Sequence, residues 1–255
     1  MSDNLHIFQN REMYYTDTVT IPNYLCDCHD RLTMWGLARL LQESAGHHAE
    51  SAELGFRQLI ERGKAWVLCR MYFVVDRMPM ESETVTVRTW SRGTDGLYAF
   101  RDFELIDSQG VAVTCSTYWV IIDFESRKAM RIHEYWRNIE SHPDVATDRE
   151  HLDRLRIPRD AGEPYEALRM GVRPSMLDHT FHVNNAEYIK WVFDCLPAMA
   201  PQAAPCRFAI EFLNETMPDE TIAVQVYAAG DEKGTSYFKI SNPRSVAVLA
   251  ALMPR

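Results

Sequence analysis

Ionisable and polar side chains run directly into an amphipathic segment in the second half of the chain. Asp178 and His182 lie four positions apart, and Asn184 and Asn185 follow at once. Carboxylate and imidazole groups can transfer protons, and unpaired N–H groups at a helix start can stabilise an oxyanion. This combination suits acyl transfer, in which a carbonyl oxygen gains negative charge under attack.

The segment after Asn184 is predicted to be a helix over residues 185–196. Its apolar residues fall at i, i+3, i+4 spacing, Asn184 is a favourable N-cap, and Glu187 three positions later matches a capping box. A purely structural interpretation stands beside the catalytic one. An asparagine at this position usually only caps, and a histidine near a helix start is usually only hydrogen-bonded.

Length, composition and charge limit the class of protein. A chain of 255 residues with 46% hydrophobic and 25% charged residues is typical of a soluble globular protein with a sizeable core. The net charge of -9 argues against a nucleic-acid partner. No apolar run approaches the roughly 20 residues that span a bilayer, and the first residues lack the features of a signal peptide. We therefore expect a cytoplasmic protein without a membrane partner.

The cysteines and histidines do not form a metal-binding pattern. Residues 26–29, Cys-Asp-Cys-His, have no second Cys or His pair at the spacing that a four-ligand site needs. We expect no metal site, and most of the six cysteines are expected to be reduced core residues. His47 and His48 are adjacent on a predicted helix, so their side chains point about 100° apart and cannot easily bind the same metal ion. We expect them to lie on a solvated helix face instead.

The chain contains an internal repeat. Residues 83–87 (ETVTV) correspond to residues 220–224 (ETIAV), and residues 111–113 (VAV) to residues 246–248 (VAV). Met-Pro precedes each copy, at residues 78–79 and again at 217–218. The offset drifts only slightly, as loop-length changes would produce. Each half is thus predicted to be one helix followed by strands.

The predicted elements describe an α+β fold with two tandem units. Helices are expected at 33–53 and 185–196, each packed across a curved antiparallel sheet. We expect an N-terminal repeat over residues 1–145, a linker over 146–163 and a C-terminal repeat over 164–255. Alternating or β-branched segments predict strands at 14–21, 65–75, 83–90, 97–106, 111–122, 167–175, 207–213, 221–229, 235–241 and 245–252. Two such units side by side resemble the double hotdog arrangement.

Several motifs also resemble one family in order and spacing. They are the run from Trp66 to Pro79, Thr89-Trp90, and His182-Val183-Asn184-Asn185 with Tyr188 and Trp191. Together they are similar to the acyl-acyl carrier protein thioesterases of plant plastids and many bacteria. The likeness covers nearly the whole chain, from about residue 14 onward. We expect no plastid transit segment, and on that basis the chain resembles a bacterial member.

This resemblance implies an activity and a set of catalytic residues. Family members hydrolyse a fatty acyl-acyl carrier protein thioester to free fatty acid, which ends chain elongation, without a metal or other cofactor. Asp178 and His182 match the family's Asp-x-Asn-x-His run, with Thr180 in place of its Asn, and Glu215 matches its Glu. Thr216 stands where the family often has Cys, so water is the preferred nucleophile.

The mechanism implied for this chain is a hypothesis about five residues. Glu215 or His182 removes a proton from water, Asp178 orients the site, and the N–H groups of Asn184 and Asn185 stabilise the oxyanion. The first half lacks His-Val-Asn-Asn and is expected to be non-catalytic and to form the acyl tunnel. Candidate wall residues, which could equally be plain core, are Met34, Trp35, Leu37, Leu41 and Trp66.

Other functions remain open at this point. The fold also serves coenzyme A thioesters, so an acyl-CoA thioesterase is the main alternative, followed by a non-catalytic acyl-binding protein. A serine hydrolase is disfavoured because the chain has no Gly-x-Ser-x-Gly. The basic residues Arg127, Lys128 and Arg131 are either a solvated face or a docking site. The partner implied is acyl carrier protein, and both a monomer and a homodimer are reasonable.

Overall fold

The structure, a computed structural model, describes residues 14–132, 140–196, 205–228 and 234–255. One ten-stranded antiparallel sheet runs through both halves in the order β1-β3-β4-β5-β2-β7-β10-β9-β8-β6. The strands are β1 Tyr15–Thr20, β2 Lys64–Val75, β3 Thr84–Thr94, β4 Ala99–Asp107, β5 Gly110–Asp123, β6 Tyr165–Gly171, β7 Cys206–Phe212, β8 Thr221–Ala228, β9 Ser236–Ser241 and β10 Val246–Pro254. The helices are α1 Met34–Ser51, α2 Phe56–Glu61 and α3 Asn185–Asp194.

The two halves of the sheet are related by a local two-fold axis. Read from either edge, the strand order is the same, with β2 and β7 paired at the centre. Met71 of β2 pairs with Ile210 of β7, and these two residues are related by the repeat offset (210 − 71 = 139). The predicted duplication is therefore present in the sheet, and the predicted α+β class is confirmed.

Both long helices lie on one face of the sheet and share one core. Met71, Phe73 and Val75 alternate along β2 and are buried in a single cluster with apolar residues of α1 and α3. α1 begins at a Thr33 N-cap, whose hydroxyl accepts the Gly36 N–H. Packing α1 and α3 side by side in this way brings the two repeats together.

An ion pair joins α1 to the start of α3. Arg39 donates to the Glu187 carboxylate at 2.9 Å, and the Glu187 side chain is nearly buried. The capping-box expectation for Glu187 is therefore wrong, because its carboxylate faces α1 instead of the N-cap backbone. Glu187, which the sequence pattern predicted to cap α3, instead connects α3 to α1 through Arg39.

The linker lies across the sheet face opposite the helices. Residues 140–164 contain no helix or strand, yet Tyr72 donates to Asp148 at 2.8 Å and Arg70 donates to the Leu152 carbonyl at 2.7 Å. Tyr72 and Arg70 alternate with the core residues of β2, so they point away from α1 and α3. Side chains of the central strands thus fix the linker in place.

Most predicted elements match, with a few differences. α2 was not expected, and β6 ends at Gly171 because residues 174–176 form a 3-10 turn that begins at Pro174. His48 is half-buried, with its Nδ1 2.9 Å from Arg101 Nη1, so the expectation of a solvated face is wrong for this residue. The six cysteines are free, but only Cys115 and Cys206 are buried. Residues 1–13 and 133–139 of the predicted N-terminal repeat lie outside the described residues, and so do residues 197–204 and 229–233 of the predicted C-terminal repeat.

Within the described ranges, no helix is long and apolar enough to cross a membrane.

Candidate active site

A tight loop at residues 178–182 precedes α3 and carries the polar side chains singled out in the sequence. Asp178 Oδ1 accepts the Thr180 N–H at 2.8 Å, and the Asp178 N–H donates to the His182 carbonyl at 2.8 Å. Phe181 has a φ of 62°, a left-handed conformation that side chains seldom adopt. The loop therefore folds back on itself, whereas a straight strand would separate its ends by roughly 13 Å.

The side chains of this loop form a connected series that ends at Glu215. The Thr180 hydroxyl lies 2.6 Å from Asp178 Oδ1, and its oxygen lies 3.0 Å from His182 Nδ1. His182 Nε2 lies 3.2 Å from Glu215 Oε2. The structure thus brings together all four residues predicted to be catalytic.

The hydrogen-bond directions in this series follow from the number of protons available. The single hydroxyl hydrogen of Thr180 points to the Asp178 carboxylate, which can only accept when ionised. Nδ1 of His182 must then donate to the Thr180 oxygen, and this fixes the ring orientation. Nε2 is left facing Glu215, a contact that is attractive when one proton is shared between the imidazole and the carboxylate.

Both the backbone carbonyl and the side-chain carboxylate of Glu215 have partners. Its carbonyl accepts hydrogen bonds from Asn242 Nδ2 and from the Arg244 guanidinium, each at 3.1 Å. Its carboxylate forms an ion pair with Arg127, a residue of the first repeat. The side chain of Glu215 is 40% exposed and that of His182 is 16% exposed. Solvent therefore reaches the carboxylate more readily than the imidazole.

Thr216, at the position where a thiol was considered, is fully buried. Its carbonyl accepts the Val183 N–H at 3.2 Å, and its hydroxyl oxygen accepts from Asn242 at 3.2 Å. Burial raises the pKa of the neighbouring Tyr188, which also hydrogen-bonds to Thr216, to about 12. Thr216 thus connects the end of β7 to the start of α3 and fixes His182 relative to Glu215.

The start of α3 offers fewer free N–H groups than expected. The Asn184 side chain caps the helix by accepting the Ala186 N–H at 2.9 Å. The Asn184 N–H itself donates to the Met176 carbonyl at 2.9 Å, so its predicted role as an oxyanion donor is corrected. For Asn185, the structure gives no hydrogen bond from its N–H to another described residue, which leaves it as the helix-start candidate.

The first repeat contains the same loop with different side chains. Asp27 Oδ1 accepts the N–H groups of His29 and Arg31 at 2.8 and 3.1 Å, and Asp30 has a φ of 60°. By position and hydrogen bonding, Asp27 corresponds to Asp178 and Arg31 to His182 (182 − 31 = 151, as 178 − 27 = 151). The backbone of the loop is therefore duplicated, but the first repeat has no imidazole at the position of His182.

The candidate tunnel residues divide into two groups. Met34, Leu37 and Leu41 are fully buried in the core shared with α3, and Trp35 packs against that core. Trp66 belongs to a separate cluster with Ala99, Ile121 and Ile132. The structure therefore does not bring Trp66 together with the three α1 residues.

Sequence reasoning missed the role of Arg127 as the partner of Glu215. The ion pair spans 88 positions, so no local spacing could indicate it. For metals, the residues that the structure describes contain no group of three or more His, Cys, Asp or Glu side chains that could hold an ion.

Comparison with known proteins identifies a family across both halves. The Acyl-ACP thioesterase N-terminal domain matches residues 12–139, and the Acyl-ACP thioesterase C-terminal domain matches residues 160–248. A chloroplastic acyl-acyl carrier protein hydrolase of Cuphea viscosissima is 31% identical over 77% of this chain. A palmitoyl-acyl carrier protein thioesterase of Cuphea hookeriana is 29% identical over 77% of this chain. The chain spans about half the length of these two relatives, 50% in each case.

Two solved structures share the fold. An acyl-ACP thioesterase from Bacteroides thetaiotaomicron superposes with a TM-score of 0.81 at 22% identity, covering 95% of this chain and 98% of the other. A 12:0-ACP thioesterase from Umbellularia californica gives a TM-score of 0.80 at 22% identity, covering 97% and 99%. The predicted double-hotdog architecture is confirmed by this agreement over nearly the full chain.

Proposed function

Since the chain belongs to the acyl-ACP thioesterase family, we propose that it hydrolyses fatty acyl-acyl carrier protein to free fatty acid and carrier protein, which ends chain elongation. The observation that carries this proposal is the series Asp178–Thr180–His182–Glu215, which places a carboxylate and an imidazole 3.2 Å apart beside a helix start. Hydrolysis of a thioester needs a base for the attacking water and an acid for the departing sulfur.

In the proposed mechanism, Glu215 is the base and His182 is the acid. Water attacks the thioester carbonyl carbon while the Glu215 carboxylate takes one of its protons. The carbon–sulfur bond of the tetrahedral intermediate then breaks, and the His182 imidazolium gives a proton to the sulfur. Glu215 finally returns its proton to His182 across the 3.2 Å contact, so the site is restored and no other reactant is needed.

The other polar groups support these two. Asp178 and Thr180 hold the imidazole by its Nδ1 side, which directs Nε2 toward the reaction. The Asn185 N–H at the positive end of α3 is the candidate donor to the oxyanion. Thr216 is assigned a structural role because its hydroxyl and carbonyl are both already engaged.

The first repeat is proposed to bind the acyl chain. Met34, Leu37 and Leu41 present buried apolar surface on α1, beside the helix that begins at the proposed site. Trp35 packs on the same core, with the Arg39 guanidinium 5.5 Å and the Lys190 amine 5.8 Å from its ring. Trp66 is left out of this proposal because it belongs to the other cluster.

The proposal is tested by steady-state hydrolysis of matched thioesters. Acyl carrier protein and coenzyme A carrying the same acyl group, over a series of chain lengths, are compared with the wild-type protein. We expect kcat/KM to be higher for the carrier-protein esters. A preference for the coenzyme A esters would identify an acyl-CoA thioesterase instead. Binding of acyl groups with no hydrolysis of any ester would overturn the enzymatic proposal.

A further inference from the structure

The proposed catalytic carboxylate is contacted by a residue of the other repeat. The Arg127 guanidinium forms an ion pair with Glu215 Oε2, the same oxygen that lies 3.2 Å from His182 Nε2. Arg127 lies in the turn after β5, whereas Glu215 lies after β7 in the second repeat. Both side chains of the ion pair are 40% exposed, so the contact lies at the rim of the site.

The turn that carries Arg127 is itself closely held. Asp123 Oδ1 accepts the N–H and the hydroxyl of Ser126 at 2.8 and 2.7 Å. The Arg127 N–H donates to the Asp123 carbonyl at 2.9 Å, and the Asp123 N–H donates to the Lys128 carbonyl at 2.9 Å. Arg127 has a φ of 58°. These bonds set the position from which its side chain reaches across to the second repeat.

Glu215 is surrounded by charged and titratable groups from four elements. His182 approaches from the loop before α3, and Arg127 from the turn after β5. Arg244, from the turn between β9 and β10, donates to the Glu215 carbonyl, while its charge is paired with Glu220. Tyr188 of α3 also lies close enough for the charge of Glu215 to raise its pKa slightly, after the larger effect of burial. Among the residues that the structure describes, Arg127 is therefore the arginine that forms an ion pair with this carboxylate.

We infer that Arg127 is a positioning residue for the hydrolysis proposed above, and the inference rests on that proposed function. Arg127 holds the Glu215 carboxylate against His182, because the same oxygen, Oε2, contacts both side chains. A carboxylate acts as a base on water only from a fixed position within hydrogen-bond reach, and the ion pair with Arg127 restricts the half-exposed side chain to such a position. The first repeat thus contributes to the catalytic centre as well as to acyl-chain binding.

The duplication of the fold provides a matched control. Asp76 follows β2 as Glu215 follows β7, and Arg255 follows β10 as Arg127 follows β5. Arg255 forms an ion pair with Asp76, and their side chains are 40% and 55% exposed. The loop of the first repeat, however, has Arg31 at the position of His182. An Arg255 variant therefore removes an equivalent ion pair away from the proposed catalytic imidazole.

The test compares R127Q, R127K and R255Q with wild type in steady-state hydrolysis of an acyl carrier protein thioester. We expect R127Q to lower kcat by about tenfold with KM within about twofold, because the base is less well placed. R127K should recover part of the rate, and R255Q should match wild type.

A second comparison in an E215Q background separates positioning from other roles. If Arg127 acts through Glu215, adding R127Q to E215Q causes no further loss of rate. The inference is overturned by an undiminished kcat in R127Q, by a rise in KM alone, or by a further loss in the double variant. A rise in KM alone would instead make Arg127 a carrier-binding residue. An inactive wild-type protein would refute the proposed hydrolysis itself and with it this inference.

Discussion

Replacing Thr180 by valine is expected to lower kcat/KM by about 10- to 150-fold. Valine keeps the shape of the side chain but removes the hydroxyl, which lies 2.6 Å from Asp178 Oδ1 and 3.0 Å from His182 Nδ1. A hydrogen bond to a charged group is worth about 1.5–3 kcal/mol. Each ~1.4 kcal/mol lost from transition-state stabilisation is a tenfold loss of rate. The imidazole would then lose the group that fixes its orientation toward Glu215.

The assay for T180V is single-turnover hydrolysis of an acyl carrier protein thioester, with thermal unfolding measured in parallel. T180S, which keeps the hydroxyl, is the matched control and should stay within about threefold of wild type. T180N restores the residue implied by the family resemblance and should also retain activity, because an amide can both donate and accept. Wild-type activity in a folded T180V protein, or an equal loss in T180S, would refute the role given to the hydroxyl.

Two further predictions concern stability. E211A should lower the free energy of unfolding by about 3–5 kcal/mol. Glu211 is only 5% exposed, and its removal leaves the guanidinium of Arg70 without its carboxylate partner. Urea unfolding should show a much smaller loss for E166A, which removes an exposed ion pair with Arg169, and equal losses in the two variants would contradict this prediction. Burial, reinforced by the charge of Arg101, lowers the pKa of His48 from 6.5 to about 4. The unfolded chain therefore binds the proton more readily, and stability should fall as the pH drops from about 6.5 to about 4. H48Q should flatten this dependence in thermal unfolding, and a Tm that falls as steeply in H48Q as in wild type would exclude His48 as the cause.

The regular elements could be predicted because their signals are local. Alternation of apolar residues located all ten strands, and i, i+3, i+4 spacing located α1 and α3. α2 was missed because six residues are too few to show a helical period. The end of β6 was predicted too far along the chain, because a 3-10 turn begins at Pro174 and the pattern of apolar residues does not indicate it. The repeat offset predicted the duplicated architecture because it survives in the pairing of β2 with β7.

The candidate site was only partly predictable, because its contacts depend on distant residues. Asp178, Thr180 and His182 are neighbours in sequence, and Glu215 was found through the family resemblance. The contact between Glu215 and Arg127 joins the two repeats across 88 positions, so the spacing of neighbouring residues could not predict it. The Asn184 N–H was predicted to be free, but the preceding turn places the Met176 carbonyl within hydrogen-bond distance of it.

The central claim is that His182 and Glu215 together hydrolyse an acyl carrier protein thioester. The most direct measurement is the rate of free fatty acid release from that substrate by wild type, H182A and E215Q, each shown to be folded by thermal unfolding. We expect turnover by wild type and a loss of about 100-fold or more in each variant. Undiminished release by either folded variant, or no release by wild type, would contradict it.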